Sequence, residues 1–153
     1  MRVVLDTNIL MVIAPPPSAY HWVFDALRAG DFSLVVSTDI LEEYAEKLGN
    51  WYGQPFTDAV LTELTAMPQV QQTSPAYFYP LITADPDDNK FTDAYLSGNA
   101  NLLVSNDGHF KALFDYNFPA VNWILFADFI TYLQGGSIVL QEPKQTKARK
   151  KKQ

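Results

Sequence analysis

The chain has no cysteine and only two histidines, His21 and His109, among its 153 residues. A disulfide framework, a thiolate zinc site and a cysteine nucleophile are therefore excluded, and any metal must be held by oxygen or by one of two imidazoles. No apolar run approaches the ~18 residues of a membrane span, and no segment repeats. The apolar start Val3-Val4-Leu5 is broken by Asp6 and Asn8 before a signal-peptide core develops. The expectation is a cytoplasmic protein with no membrane partner. Basic residues are scarce as well. Before position 144 only Arg2, Arg28, Lys47, Lys90 and Lys111 stand against all seventeen acids, leaving −12, whereas Lys144, Lys147, Arg149, Lys150, Lys151 and Lys152 give the last ten residues +6. A body that acidic argues against a protein that coats nucleic acid. The tail lacks the apolar content to bury and is expected to be flexible, serving as a phosphate anchor, a solubility segment or a contact for an acidic partner.

What is present is a globular composition, 48% hydrophobic with ten Phe, eight Tyr and three Trp. One domain is expected over residues 1–136, with a short extension at 137–143 and the tail at 144–153. Short apolar runs alternate with helical periodicity. Strands are expected at 2–6, 32–36, 102–105 and 121–124, with a weaker one in 69–84. Helices are expected at 19–29, from Ser37 as N-cap to 48 with Gly49 as the stop, and at 56–67, 88–97, 109–115 and 127–133. Pro15-Pro16-Pro17 excludes helix at that point. This alternation specifies a three-layer α/β/α sandwich around a mostly parallel sheet of about five strands.

Four acids stand where such folds present ligands. Asp6 ends the first strand and Asp107 follows Leu102-Leu103-Val104-Ser105, so both lie outside carboxyl ends of strands. Glu43 lies on the helix after the second strand, and Asp88, with Asp85 and Asp87, opens the helix preceding Asp107. If they converge, their mutual repulsion requires a cation or raised pKa values. Oxygen ligation selects Mg²⁺ or Mn²⁺.

The segments Val4-Leu5-Asp6-Thr7-Asn8-Ile9-Leu10, Ser37-Thr38-Asp39-Ile40-Leu41-Glu42-Glu43-Tyr44, Asp85-Pro86-Asp87-Asp88-Asn89-Lys90-Phe91 and Val104-Ser105-Asn106-Asp107 together resemble a PIN-domain nuclease, closest to the branch of toxin components of toxin–antitoxin systems. Each piece is weak alone. Four in order, within a likeness spanning residues 2–133, are specific. The resemblance implies that Asp6, Glu43, Asp88 and Asp107 hold one or two Mg²⁺ or Mn²⁺ ions, that Asn8 and Ser105 brace the first and last acids, and that Asp93 is a further acidic member. Glu43 is preferred to Glu42 because the acid of the motif directly precedes an apolar or aromatic residue, here Tyr44. The implied reaction is metal-dependent hydrolysis of RNA phosphodiester bonds, leaving 5′-phosphate and 3′-hydroxyl ends, with an antitoxin protein as partner.

Each residue also has a purely structural reading. Asp6 alone is a strand-end acid, Asp88 a helix N-terminal acid favoured by the dipole, Asp107-Gly108 a turn, and Ser37 a cap. His21 is assigned to packing or surface, and His109 is a weak candidate for a general base. Tyr77, Phe78 and Tyr79 can stack on bases but are assigned first to packing. The aromatics Phe110, Phe114, Tyr116, Phe118, Trp123, Phe126, Phe129 and Tyr132 are dense enough to suggest an apolar surface for a homodimer or partner. The competing function is a catalytically inactive PIN-like module that binds RNA or protein. A phosphatase of the haloacid-dehalogenase type is disfavoured because Asp6-Thr7-Asn8 lacks a second aspartate.

Overall fold

The computed structural model of the protein describes residues 1–116, 120–138 and 140. Most of the expected extension, the basic tail and Phe118 lie outside the described residues. Five parallel strands, β1 (Arg2–Leu5), β2 (Ser33–Val36), β3 (Val70–Gln72), β4 (Leu102–Val104) and β5 (Trp123–Ile124), form one sheet in the order β3-β2-β1-β4-β5. Val3, Val4 and Leu5 are all fully buried, as are Leu34, Val35 and Val36. Successive strand residues point to opposite faces, so burial of consecutive residues means that both faces are covered. The α/β sandwich follows from that.

The covering helices are α1 (Thr7–Ile13), α2 (His21–Arg28), α3 (Thr38–Tyr52), α4 (Gln54–Ala66), α5 (Asn89–Ser97) and α6 (Phe126–Leu133). Two short 3₁₀ segments, Pro86–Asp88 and Gly108–Asp115, flank α5 and β4. Ser37 caps α3 as expected, its hydroxyl accepting from the Ile40 amide at 3.3 Å. Helix α5 packs on β1, β2 and β4, and its close seat on β2 requires glycine at its end: a Cβ on Gly98 would lie 2.5 Å from Val35 Cγ1.

The elements differ from expectation at two places. Thr7–Ile13, to which periodicity assigned no element, is a helix; the Asp6 carbonyl starts it by accepting from Ile9 and Leu10 at 3.0 and 3.3 Å. Gly49 does not stop α3, which runs to Tyr52 and ends at Gly53, where φ is +83° and a glycine is needed. The aromatic surface expected near the C-terminus is also corrected. Phe110, Trp123, Phe126 and Phe129 are buried in the core, and Phe114, Tyr116 and Tyr132 pack against it. The fold itself occupies these rings, as in the edge-to-face pair Phe32–Phe129 with centroids 5.1 Å apart. Tyr77 and Phe78, assigned first to packing, are 75% and 72% exposed.

Candidate active site

From β1 the chain proceeds to β2 on one side and later reaches β4 on the other, so the topological switch lies at the carboxyl ends of β1 and β4. Register fixes what meets there. Leu5 pairs with Val104, which sets Asp6 beside Ser105. The Asp6 amide donates to Val104 O at 3.0 Å, and Ser105 Oγ donates to Asp6 Oδ2 at 2.6 Å while accepting from the Asp107 amide at 2.9 Å. One hydroxyl thus positions both acids. The strap Ser105–Asp107 is held from behind, because Trp123 Nε1 donates to Ser105 O at 2.8 Å and Asn106 Oδ1 accepts from the Phe126 amide at 3.0 Å.

Glu43 reaches the same end of the sheet from α3. Its neighbour Tyr44, fully buried, donates to Leu5 O at 2.6 Å and so docks α3 against the residue before Asp6. Thr7 Oγ1 donates to Glu43 Oε2, and Lys90 Nζ bonds Oε1 at 3.1 Å. Glu42, by contrast, is exposed. It lines a cleft of about 390 Å³ together with Glu43 itself, Asp39, Glu46, Asp87 and Asp93.

Asp88 arrives at the end of the Pro86–Asp88 turn, which Asp85 caps by accepting from the Asp87 amide at 3.2 Å. A clasp fixes the approach: the Ile82 amide donates to Asn89 Oδ1 at 2.8 Å and Asn89 Nδ2 donates to Ile82 O at 3.0 Å. Asp88 is 9% exposed, and its Oδ2 is buried without a hydrogen-bond partner. Burial, and then the charges of Asp85, Asp6 and Asp107, push its carboxyl up to about 6. Asp6 is raised too, by burial first and by the charges of Glu43 and Asp107, against the lowering effect of its bond from Ser105. Three acids expected on sequence grounds, Asp6, Asp88 and Asp107, therefore feel one another, and Glu43 joins them through Asp6.

Asn8 and Asp93 are placed differently. Asn8 is exposed and, among the described residues, makes no hydrogen bond to Asp6; Thr7 instead bonds across to Glu43. Asn8 borders an apolar groove of about 740 Å³ walled by Met11, Val12, Tyr20, Trp51 and Tyr52. Asp93 accepts from the Tyr79 amide at 2.9 Å and so anchors the 73–85 loop; burial, followed by the charge of Asp39, raises its pKa. Two residues at the site had little or no part in the sequence reading. His109 Nδ1 lies 3.4 Å from Asp107 Oδ1, 3.5 Å from Asp88 Oδ2 and 3.9 Å from Asp85 Oδ2. His109 follows Asp107 by two positions, which was its one sequence signal, and Asp85 was read only as part of an acidic helix start. His21 sits elsewhere, with Nδ1 against Ile13 O at 2.9 Å and its ring stacked on Phe24.

Comparison with known proteins bears on the family and the fold. A family model described as PIN domain matches residues 2–109. Among solved structures, a chain of VapBC2 from Rickettsia felis bound to a promoter DNA fragment superposes with a TM-score of 0.57 at 16% identity, covering 82% of this chain and 99% of that one. The PIN domain of RRP44 from T. brucei superposes at 0.51 with 13% identity, covering 87% and 80%. At these identities the likeness is one of fold. No curated protein matches the chain in sequence.

Proposed function

The chain belongs to the PIN-domain family, and from that premise we propose that it is a divalent-metal-dependent endoribonuclease whose site is Asp6, Glu43, Asp88 and Asp107. The observation that carries the reading is the unpartnered, buried Asp88 Oδ2 inside a group of mutually repelling carboxylates. A native fold keeps such an atom where a ligand completes it, and hard oxygen donors of like charge suit Mg²⁺ or Mn²⁺. The residues fit the ion. When bound, it supplies Lewis acidity, acidifying water and offsetting charge on the phosphodiester.

The chain's own residues do the rest by position. Ser105 holds one oxygen of Asp6 and the backbone of Asp107, so those two acids move as a unit. Thr7 and Lys90 each bond one oxygen of Glu43 and so hold its carboxylate in place. No side-chain nucleophile is required. Asp93 and Asn8 support the site indirectly, through the 73–85 loop and the first turn of α1.

The likeness of fold to a VapBC2 chain supports an antitoxin-type protein as partner, and the apolar groove that starts at Asn8 and ends at Trp51 is a surface it can cover. No described helix is long and apolar enough to cross a membrane. The test is incubation of the pure protein with mixed RNA and Mn²⁺ or Mg²⁺, with EDTA and Asp6→Asn as controls. Cleavage that leaves 5′-phosphate ends and needs both metal and Asp6 is expected. RNA binding without cleavage under either metal would transfer the protein to the inactive binding class.

A further inference from the structure

We infer that Tyr77 and Phe78 are a base-stacking platform for unpaired nucleotides of the RNA beside the acidic cleft, so that the folded body grips its substrate by bases more than by phosphates. This rests on the ribonuclease reading and adds to it two substrate-binding residues outside the acid set. Among the described residues Tyr77, Phe78 and Trp51 are the most exposed large apolar side chains, at 75%, 72% and 73%. The fold packs Phe110, Trp123 and Phe129 into its core, and gains nothing from leaving two adjacent rings in water. Exposure of that kind marks a surface that meets a partner.

The loop is built to hold the rings there. At its start Thr73 is tied twice, its amide donating to Val36 O and its Oγ1 to Ser97 Oγ, both at 2.8 Å. At its end the Tyr79 amide donates to Asp93 Oδ1 at 2.9 Å, the Tyr79 side chain packs against the core, and Leu81 and Ile82 are buried. Residues 74–78 span the two pins and present Tyr77 and Phe78 to solvent. The second pin also sets where the rings are. Asp93 lines the same cleft as Glu43 and Asp87, and the Ile82–Asn89 clasp ties the rest of the loop to the residue after Asp88. Phe78 immediately precedes the residue whose amide meets that cleft wall.

Charge decides between a strand held by phosphates and one held by bases. Of the five basic residues before position 144, Arg28 is paired with Asp25 and Glu63, and Lys90 with Glu43. Arg2, Lys47 and Lys111 stand on three different elements, and Arg2 begins β1 at the end of the sheet away from the acids. They form no stripe that could track a phosphate backbone. Stacking needs no charge and accepts any base through its π-face, but it requires that the base be unpaired. Because the rings adjoin the cleft of the acids, where the substrate strand must lie, their position favours RNA over a protein contact.

The test measures binding by the full chain carrying Asp6→Asn, so that the strand survives, to a fluorescent unpaired oligoribonucleotide and to an RNA duplex in Mg²⁺. Tyr77→Ala and Phe78→Ala are each expected to weaken binding of the unpaired strand roughly 5-fold or more, and together roughly 30-fold. The loss should be the same at low and high salt, since no ion pair is removed. Tyr77→Phe and Phe78→Tyr keep the rings and should retain the parent affinity, and duplex affinity should change less than about 2-fold throughout. Emission of a 2-aminopurine in the strand should be quenched on binding, and the double alanine variant should abolish the quenching. With Asp6 restored, the double variant should raise KM for unpaired RNA with kcat within about 2-fold. Both rings are exposed, and an unchanged melting temperature checks the fold. Unchanged affinity and KM in the double variant overturn the inference while metal-dependent cleavage keeps the ribonuclease reading; loss of self-association in that variant would then assign the rings to a second copy of the chain. Ring-dependent binding without cleavage by the unmodified chain upholds the inference and overturns the ribonuclease reading. Absence of both binding and cleavage overturns both.

Discussion

Two groups of acids in this molecule have opposite fates. On the flank formed by α2 and α4, Arg28 bonds Asp25 at 2.7 Å and Glu63 at 2.5 and 3.0 Å, and its guanidinium lies 4.5 Å over the Phe24 ring. There the Arg28 hydrogen bond lowers the Glu63 pKa. At the ends of β1 and β4, burial and neighbouring acids raise Asp6 and Asp88, and an oxygen is left bare. The same chemical group is closed and satisfied in one place and open in the other. Basic residues are few, and among the described residues Lys90, near the strand ends, pairs with Glu43. A charge deficit of that kind is what the proposed metal-binding role draws on, whereas the α2–α4 group needs nothing further.

The largest effect that sharpens the contrast is on cleavage. Asp6→Asn, Asp88→Asn and Glu43→Gln are each expected to lower metal-dependent RNA hydrolysis by about a thousand-fold, the equivalent of several kcal/mol of lost charge stabilisation. Glu63→Gln should leave the rate within about two-fold, as expected for a surface group remote from the reacting atoms. Glu42→Gln is the internal control, since Glu42 is exposed whereas Glu43 is held by Thr7 and Lys90. Loss of activity in Glu42→Gln with retention in Glu43→Gln would shift the assignment by one residue.

Only the open side of the contrast, the acids at the strand ends, was legible before the structure, and the reasons are specific. A buried strand that ends in a carboxylate, as at Leu5-Asp6 and Val104-Ser105-Asn106-Asp107, carries its position in its pattern, because parallel strands expose polar groups only at their ends. Ser37 could be read as a cap for a similar local reason. Helix α1 could not, since seven residues rich in Ile, Leu and Val carry no period that separates helix from strand, and tertiary packing decides. Gly49 misled because a glycine can sit inside a helix, and the left-handed turn that ends α3 comes four residues later at Gly53. The approach of His109 and Asp85 to Asp88 was beyond the sequence. It depends on a 3₁₀ turn, the Ile82–Asn89 clasp and a cap at Asp107, none of which has a periodicity to detect.

The next effect is on stability, and its dependence on pH has opposite sign in the two groups. Asp88 titrates higher in the folded protein than in the unfolded chain, so between the ordinary Asp value and about 6 the folded state binds more protons, and stability falls as pH rises through that window. Asp88→Asn in EDTA is therefore expected to melt a few degrees higher than the wild type at pH 7.5, with the gain vanishing near pH 4. Thermal melts across that range measure it. A lower melting temperature for Asp88→Asn at pH 7.5 would show that the carboxylate is satisfied in the metal-free protein.

The smallest effect comes from the closed group. Glu63 titrates lower when folded, so its contribution is present above the ordinary Glu value and is lost as pH falls through the depressed one. Arg28 and Glu63 are each 38% exposed, and solvent screening keeps such a pair below about 1 kcal/mol. Glu63→Gln should lower the melting temperature at pH 7.5 by no more than about 4 °C, and by less in high salt. Once pH has fallen below the depressed value and both states carry a protonated group, wild type and variant should converge. The two variants thus move in opposite directions at neutral pH and meet the wild type in acid. A destabilised Asp88→Asn with an unaffected Glu63→Gln would reverse the assignment of the open and the closed group.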